Sequence, residues 1–143
     1  MIKLKIITPE GISLESDDCE ALTVTTEQGV ITILDDHSPL VTLLKPGEAN
    51  AKIKGAQVDL AISYGVCKIS RDSVVEITSD LAQLPEEIDI QEVEESKRRA
   101  EKYMEDNYDD LSEVEFTNLQ RVILQEQARL QLGKKYKNVG ASA

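Results

Sequence analysis

The stretch VVEITSDLAQLPEEIDIQEVEESKRRA, Val74 to Ala100, changes its hydrophobic period once, and that change decides the fold. Before Leu84 the residues are β-branched and alternate, as in Val74-Val75-Glu76-Ile77-Thr78. After Pro85 the packing positions recur three and four apart, with Val93, Ser96 and Ala100 on one helical face.

Working back toward the start, the strand-like texture persists. Ile2, Leu4 and Ile6 alternate with Lys3 and Lys5; Leu22 and Val24 sit among Thr23, Thr25 and Thr26; Val30-Ile31-Thr32-Ile33-Leu34 is β-branched; and Val58, Leu60, Ile62, Tyr64 and Val66 recur at every second position. Turn chemistry at Pro9-Glu10-Gly11, Gln28-Gly29, Pro46-Gly47, Lys54-Gly55 and Arg71-Asp72-Ser73 separates these runs. The pattern predicts short antiparallel strands packed as a β-sandwich or flattened barrel over residues 1–84. Working forward, Tyr103 and Met104 continue the first helical face, and Leu111, Phe116, Leu119, Ile123 and Leu130 mark a second. The break Asp106–Asp110 is too short to let two helices separate, so residues 88–143 are expected to form an antiparallel two-helix hairpin, capped at its second helix by Ser112 or Asp110. Residues 85–87 are the expected hinge or linker, and the fold class is α+β.

Charge and composition exclude several functions. The 143 residues carry a net charge of −11, which repels nucleic acid and anionic lipid alike. With four tyrosines, one phenylalanine and no tryptophan, the core must rest on Val, Ile and Leu. No apolar run approaches the roughly 18 residues of a membrane span. The start, MIKLKIITPEG, carries no signal-peptide pattern, so contact with a membrane is expected only through partners. Cys19 and Cys67 stand outside any CxxC spacing and read as buried thiols in a reducing compartment rather than as a disulfide or metal pair.

The chemistry-bearing residues are few. There is no phosphate-cradling glycine loop, no nucleophile elbow and no histidine pair, so neither a cofactor nor a metal is expected. The single histidine lies in GVITILDDHSPLVTLLKPG, Gly29 to Gly47. One reading makes Asp35, Asp36 and His37 a small catalytic or metal site. Adjacent residues in a strand-end turn point in different directions, however, and a histidine in a polar turn before Pro39 reads better as a capping or contact residue. The hairpin is charged unevenly: Glu86, Glu87, Asp89, Glu92, Glu94 and Glu95 crowd its entry, whereas Arg121, Arg129, Lys134, Lys135 and Lys137 face only Glu126 after Phe116. These cations are either a solvated helix face that complements the dipole or a contact for an acidic partner.

The order EQGVITILDDHSPLVTLLKPG, AISYGVCKIS, VVEITSDLA, an acidic link, and then KRRAEKYME and LQRVILQEQARLQLGKK resembles the epsilon subunit family of bacterial F-type ATP synthases. Gly29, Ile33, Leu34, His37, Pro39, Leu40, Pro46 and Gly47 match that family's pattern. Two departures stand out. Ser63-Tyr64-Gly65 keeps one glycine of a usual pair, and in the segment from Ile88 and Asp89 to Glu92 a carboxylate stands where ATP-binding members carry arginine, which would repel a triphosphate. The resemblance implies a non-catalytic subunit without cofactor, peripheral at the cytoplasmic face of the bacterial plasma membrane, that couples proton or sodium ion flow to ATP synthesis. It implies a rotor-docking domain, 1–84, whose rim of Gly29, Val30, Asp36, His37, Ser38, Pro39 and Leu40 meets the gamma subunit and the c-subunit ring. It also implies a regulatory hairpin whose Arg121, Arg129, Lys134 and Lys135 inhibit ATP hydrolysis at the alpha and beta subunits of the catalytic head. A non-catalytic acidic adaptor of sandwich-plus-hairpin form is the alternative.

Overall fold

Eight strands form from the alternating half: β1 (Ile2–Thr8), β2 (Gly11–Thr26), β3 (Gly29–Leu34), β4 (Leu40–Ile53), β5 (Ala56–Ile62), β6 (Gly65–Ser70), β7 (Val74–Ser79) and β8 (Ala82–Gln83). The computed structural model describes the backbone of residues 1–142 and the side chains of residues 1–137. The chain divides into two units, the first Met1–Leu84 and the second from Pro85 onward.

Two strands are long, 16 residues in β2 and 14 in β4, and they organise the first unit. The first part of β2 pairs with β1, and beyond Cys19 it pairs with β3 and β4. In the same way β4 pairs with β6 over Leu40–Leu44 and with β5 over Gly47–Ile53. Each long strand therefore passes from one layer to the other, and the β2–β4 pairing closes a flattened barrel. All pairs are antiparallel except β1–β7, which is parallel. Ile2, Leu4, Ile6, Leu22, Ile33, Leu44, Leu60 and Ile77 fill the interior and are essentially without solvent exposure. Each such side chain contributes about 1.5–3 kcal/mol of burial.

Two sequence expectations fail at one place, for one reason. Pro46-Gly47 is not a turn between strands; it lies inside β4, at the bend where that strand changes layer. A Cβ on Gly47 would stand 2.8 Å from the Cβ of Thr25, so only glycine lets β2 and β4 approach this closely. The alternating run Val58–Val66 is likewise not one strand. It breaks at Ser63-Tyr64, opposite the β4 bend, since Gly47 pairs with Ile62 and Leu44 with Gly65. Leu60 and Ile62 face inward before the break, whereas Val66 is exposed after it and Cys67 and Ile69 take the interior. The alternation keeps its period across the break but changes face.

In the second unit, a 3-10 turn at Pro85–Glu87 precedes α1 (Ile90–Asp106), and another at Tyr108–Asp110 precedes α2 (Glu113–Ser142). Asp89 caps α1 by accepting from the Glu92 amide at 3.2 Å, and Ser112 Oγ accepts from the Glu115 amide at 3.1 Å at the start of α2. Val93 and Ala100 are buried on α1, but Tyr103 is 53% exposed and stands off the face assigned to it from spacing. The rings of Tyr108 and Phe116 meet edge to face at 6.0 Å beside the reversal. Lys134 near the far end of α2 reaches Glu94 near the start of α1 at 3.3 Å, as an antiparallel hairpin requires. Gly133 does not stop α2. A Cβ there would lie 3.2 Å from side-chain carbons of Ile88 and Ile90, so α2 packs tightly against the entry to α1 at this glycine.

Both cysteines are free and fully buried. Burial pushes the Cys19 thiol up and the Cys67 thiol to about 11, from an ordinary 9.0. Because the unfolded chain ionises first, the contribution of Cys67 is complete below pH 9.0 and is lost as pH rises toward about 11. Unfolding in denaturant should show Cys67→Val losing up to about 2 kcal/mol less than the unsubstituted chain across that interval. A parallel decline in both proteins would show that the thiol plays no part.

Candidate docking surface

The Asp-Asp-His segment joins β3 to β4 and is held by a turn distant in sequence. The Asp36 amide donates to Ser73 Oγ at 2.8 Å, and the same hydroxyl donates to the Asp35 carboxylate. The α-amino group of Met1 also reaches Asp35, at 3.0 Å. The Ser73 hydroxyl first, and then the Met1 amine, hold the Asp35 carboxyl below its usual range. What this adds to stability is present above the ordinary carboxylate pKa and is lost as pH falls through the lower folded value. The His37 amide donates to the Leu34 carbonyl at 3.1 Å, and ring Nδ1 lies 2.7 Å from the Ser38 carbonyl. The ring thus bonds to backbone and not to Asp35 or Asp36, while Asp35 is occupied by Ser73. No base oriented by a carboxylate arises from these three residues.

The remaining rim residues do not all meet. Asp36, Ser38, Pro39 and Leu40 are exposed at the β3–β4 connection, with His37 half-buried. Gly29 and Val30, also exposed, begin β3, whereas the connection follows its last residue, Leu34. Five strand steps separate Gly29 from Leu34, about 17 Å, so the two groups stand at opposite ends of β3. Sequence adjacency across a strand had placed them together; an extended strand is what holds them apart.

Spacing gave no sign of the exposed apolar residues on the outward face of β4, β6 and β7. Leu43 pairs with Val66, and Ser70 with Val74, so Val41, Leu43, Val66 and Val74 share one side of the layer. Their exposures are 65%, 51%, 38% and 38%. Leu43 and Val66 meet as a cross-strand pair with Val41 two residues along from Leu43, while exposed Lys68, opposite Val41, and Glu76 lie on the same face between them and Val74. An exposed apolar pair of this kind is a candidate contact surface. The run Leu40–Leu44 hides this, because it is apolar at alternating inward and outward positions alike and so shows no period of two.

The hairpin cations are also less uniform than their spacing implied. Arg129 is not a solvated residue: it contacts both carboxylate oxygens of Glu126, at 3.1 and 2.8 Å, and Glu126 is only 3% exposed. Lys134 pairs with Glu94, while Arg121 and Lys135 are exposed. Of the positions compared with a nucleotide motif, Asp89 is the α1 cap, Ile88 is buried beside Gly133, and Glu92 is exposed in the first turn. Among the described residues no group of His, Cys, Asp and Glu is placed to hold a metal ion, and no helix is long and apolar enough to cross a membrane.

The model of the ATP synthase delta/epsilon chain beta-sandwich domain matches residues 1–84, the whole of the barrel unit. The chain belongs to the ATP synthase delta/epsilon family. Its likeness to other members runs past the barrel. The ATP synthase epsilon chain of Ruminococcus albus is 38% identical over 104 residues, covering 73% of this chain and 77% of that one. Since the barrel unit ends at Leu84, at least 20 of the aligned residues belong to the hairpin unit. The epsilon chain of Bdellovibrio bacteriovorus is 41% identical over 103 residues, covering 71% and 73% of the two chains. The family fold recurs in a chain of the Euglena gracilis mitochondrial ATP synthase, with a TM-score of 0.73 at 21% identity over 89% of this chain and 78% of that one.

Proposed function

We propose that this protein serves as the epsilon subunit of a bacterial F-type ATP synthase. It is a non-catalytic part of the central stalk, peripheral at the cytoplasmic face of the plasma membrane, that helps couple proton or sodium ion flow to ATP synthesis. The observation that carries this reading is the family match over the whole barrel unit, together with epsilon-chain relatives that align over about three quarters of their own length. In this reading the barrel docks on the gamma subunit through Val41, Leu43 and Val66. The β3–β4 connection, Asp36 to Leu40, meets the c-subunit ring, with Gly29 and Val30 making a separate contact at the other end of β3. The hairpin regulates ATP hydrolysis by meeting the alpha and beta subunits of the catalytic head, with Arg121, Lys134 and Lys135 as its contact charges. Arg129 has a role inside the hairpin through Glu126.

The test adds the full chain to an ATP synthase stripped of its epsilon subunit. The unsubstituted chain should rebind and lower ATP hydrolysis, and Leu43→Glu should weaken rebinding at least about a hundredfold, the effect of a charge placed in a desolvated apolar contact. Changing Arg121, Lys134 and Lys135 to Ala together should leave rebinding intact and relieve inhibition by up to about tenfold, since exposed ion pairs contribute roughly 0.2–1 kcal/mol each. Failure of the unsubstituted chain to rebind would overturn the proposal. Full inhibition by the triple variant would move the regulatory contact to the apolar stripe through Phe116, Leu119 and Ile123.

A further inference from the structure

The turn between β6 and β7, Arg71–Ser73, has no part in the reading above, yet it builds the conformation of the Asp-Asp-His connection. Ser73 is 6% exposed. Its single hydroxyl accepts from the Asp36 amide at 2.8 Å and donates to the Asp35 carboxylate, joining two turns 37 residues apart in sequence. Asp36, Asp72 and Ser73 have φ of 62°, 63° and 59°. This is left-handed backbone, which residues with a Cβ keep only where the surroundings impose it. Here the surroundings are the two turns themselves, each bracing the other. His37 follows Asp36 directly and its amide is bonded to Leu34, so the place of its ring depends on the backbone that Ser73 fixes. Arg71 and Asp72 are exposed beside this bracket.

We infer that Arg71–Ser73 is the second half of the docking rim, with Ser73 a positioning residue for Asp36 and His37, and Asp72 a further contact group for the same partner. The inference rests on the docking role proposed above for the β3–β4 connection. Its physical basis is preorganisation: a loop already held in its bound shape loses little conformational freedom on binding, and freeing it lowers affinity without removing any contact. Ser73 supplies that rigidity without touching the partner.

The experiment compares full-length variants for rebinding to an ATP synthase stripped of its epsilon subunit, with amide hydrogen exchange at Asp36 as a second readout. Ser73→Ala should weaken rebinding about tenfold and speed exchange at Asp36 by at least about tenfold, with little change in the global melting temperature. Asp35→Ala removes the hydroxyl–carboxylate bond from the exposed side, opens no cavity, and should weaken rebinding in the same direction. Asp35→Asn keeps an oxygen that accepts from Ser73 and should rebind within about twofold of the unsubstituted chain. Asp72→Lys should weaken rebinding while leaving exchange at Asp36 unchanged. Unaltered rebinding by Ser73→Ala and Asp35→Ala overturns the positioning role, and unaltered rebinding by Asp72→Lys overturns the contact role. Either result leaves the proposed function standing, because that function fails only if the unsubstituted chain does not rebind.

Discussion

Gly65→Ala should destabilise the barrel unit by about 3 kcal/mol or more, the upper range for overpacking a site that cannot relax. A Cβ on Gly65 would overlap the Thr78 carbonyl oxygen and stand 2.8 Å from the Ser79 Cα, and both are backbone atoms of the neighbouring β7. No rotamer change can relieve this, so β6 would have to part from β7 where Gly65 pairs with Ser79 and from β4 where it pairs with Leu44. With about 4–8 °C lost per kcal/mol in a unit of this size, melting should fall by roughly 12–24 °C. Gly55→Ala is the control. Gly55 has φ of 78° but nothing within 4 Å of an added Cβ, so it should cost only about 1 kcal/mol, the left-handed strain alone. Equal losses in the two variants would show that the close approach at Gly65 is not what limits the site.

Arg129→Ala should cost the helical hairpin about 3 kcal/mol, because it leaves the Glu126 carboxylate buried without the guanidinium that contacts both its oxygens. Hydrogen exchange along α2 reads the loss directly. The double variant Glu126→Leu with Arg129→Met should recover most of it, since an apolar pair of similar volume needs no compensation for lost hydration. A loss below about 0.5 kcal/mol in the single variant would mean that the pair behaves as an ordinary surface ion pair. The result bears on function as well. An arginine committed to a buried carboxylate is a poor contact for a partner, which is why the regulatory contact proposed for α2 is placed on Arg121, Lys134 and Lys135 and not on Arg129.

Legibility in the sequence followed the range of the forces involved. The alternation at Ile2, Leu4 and Ile6 and the three-and-four spacing at Val93 and Ala100 marked elements that the structure contains, because a buried face imposes its period on the chain that forms it. Ser112 as a cap was readable for a similar reason, since its hydroxyl meets an amide three residues away. The candidate docking surface was only half readable. His37 and Pro39 announced themselves by composition, but Val41 and Leu43 were masked by apolar neighbours on both faces of β4. Ser73 was masked by distance, since nothing local to Arg71-Asp72-Ser73 signals a bond to Asp35 and Asp36.

By itself, then, the sequence determined the strand-bearing and helical halves, the cap of α2 and most of the turns, all of which depend on side chains within about one turn or one pleat of each other. Only the tertiary structure decided that Pro46-Gly47 bends a strand instead of ending it, that the run through Ile62 and Val66 changes face, and that Gly133 passes through a helix. It also decided that Gly29 and Asp36 stand at opposite ends of β3 and that Ser73 completes the loop before His37. Each of these depends on which backbone comes within contact distance of which other, and that is fixed only when distant segments pack together.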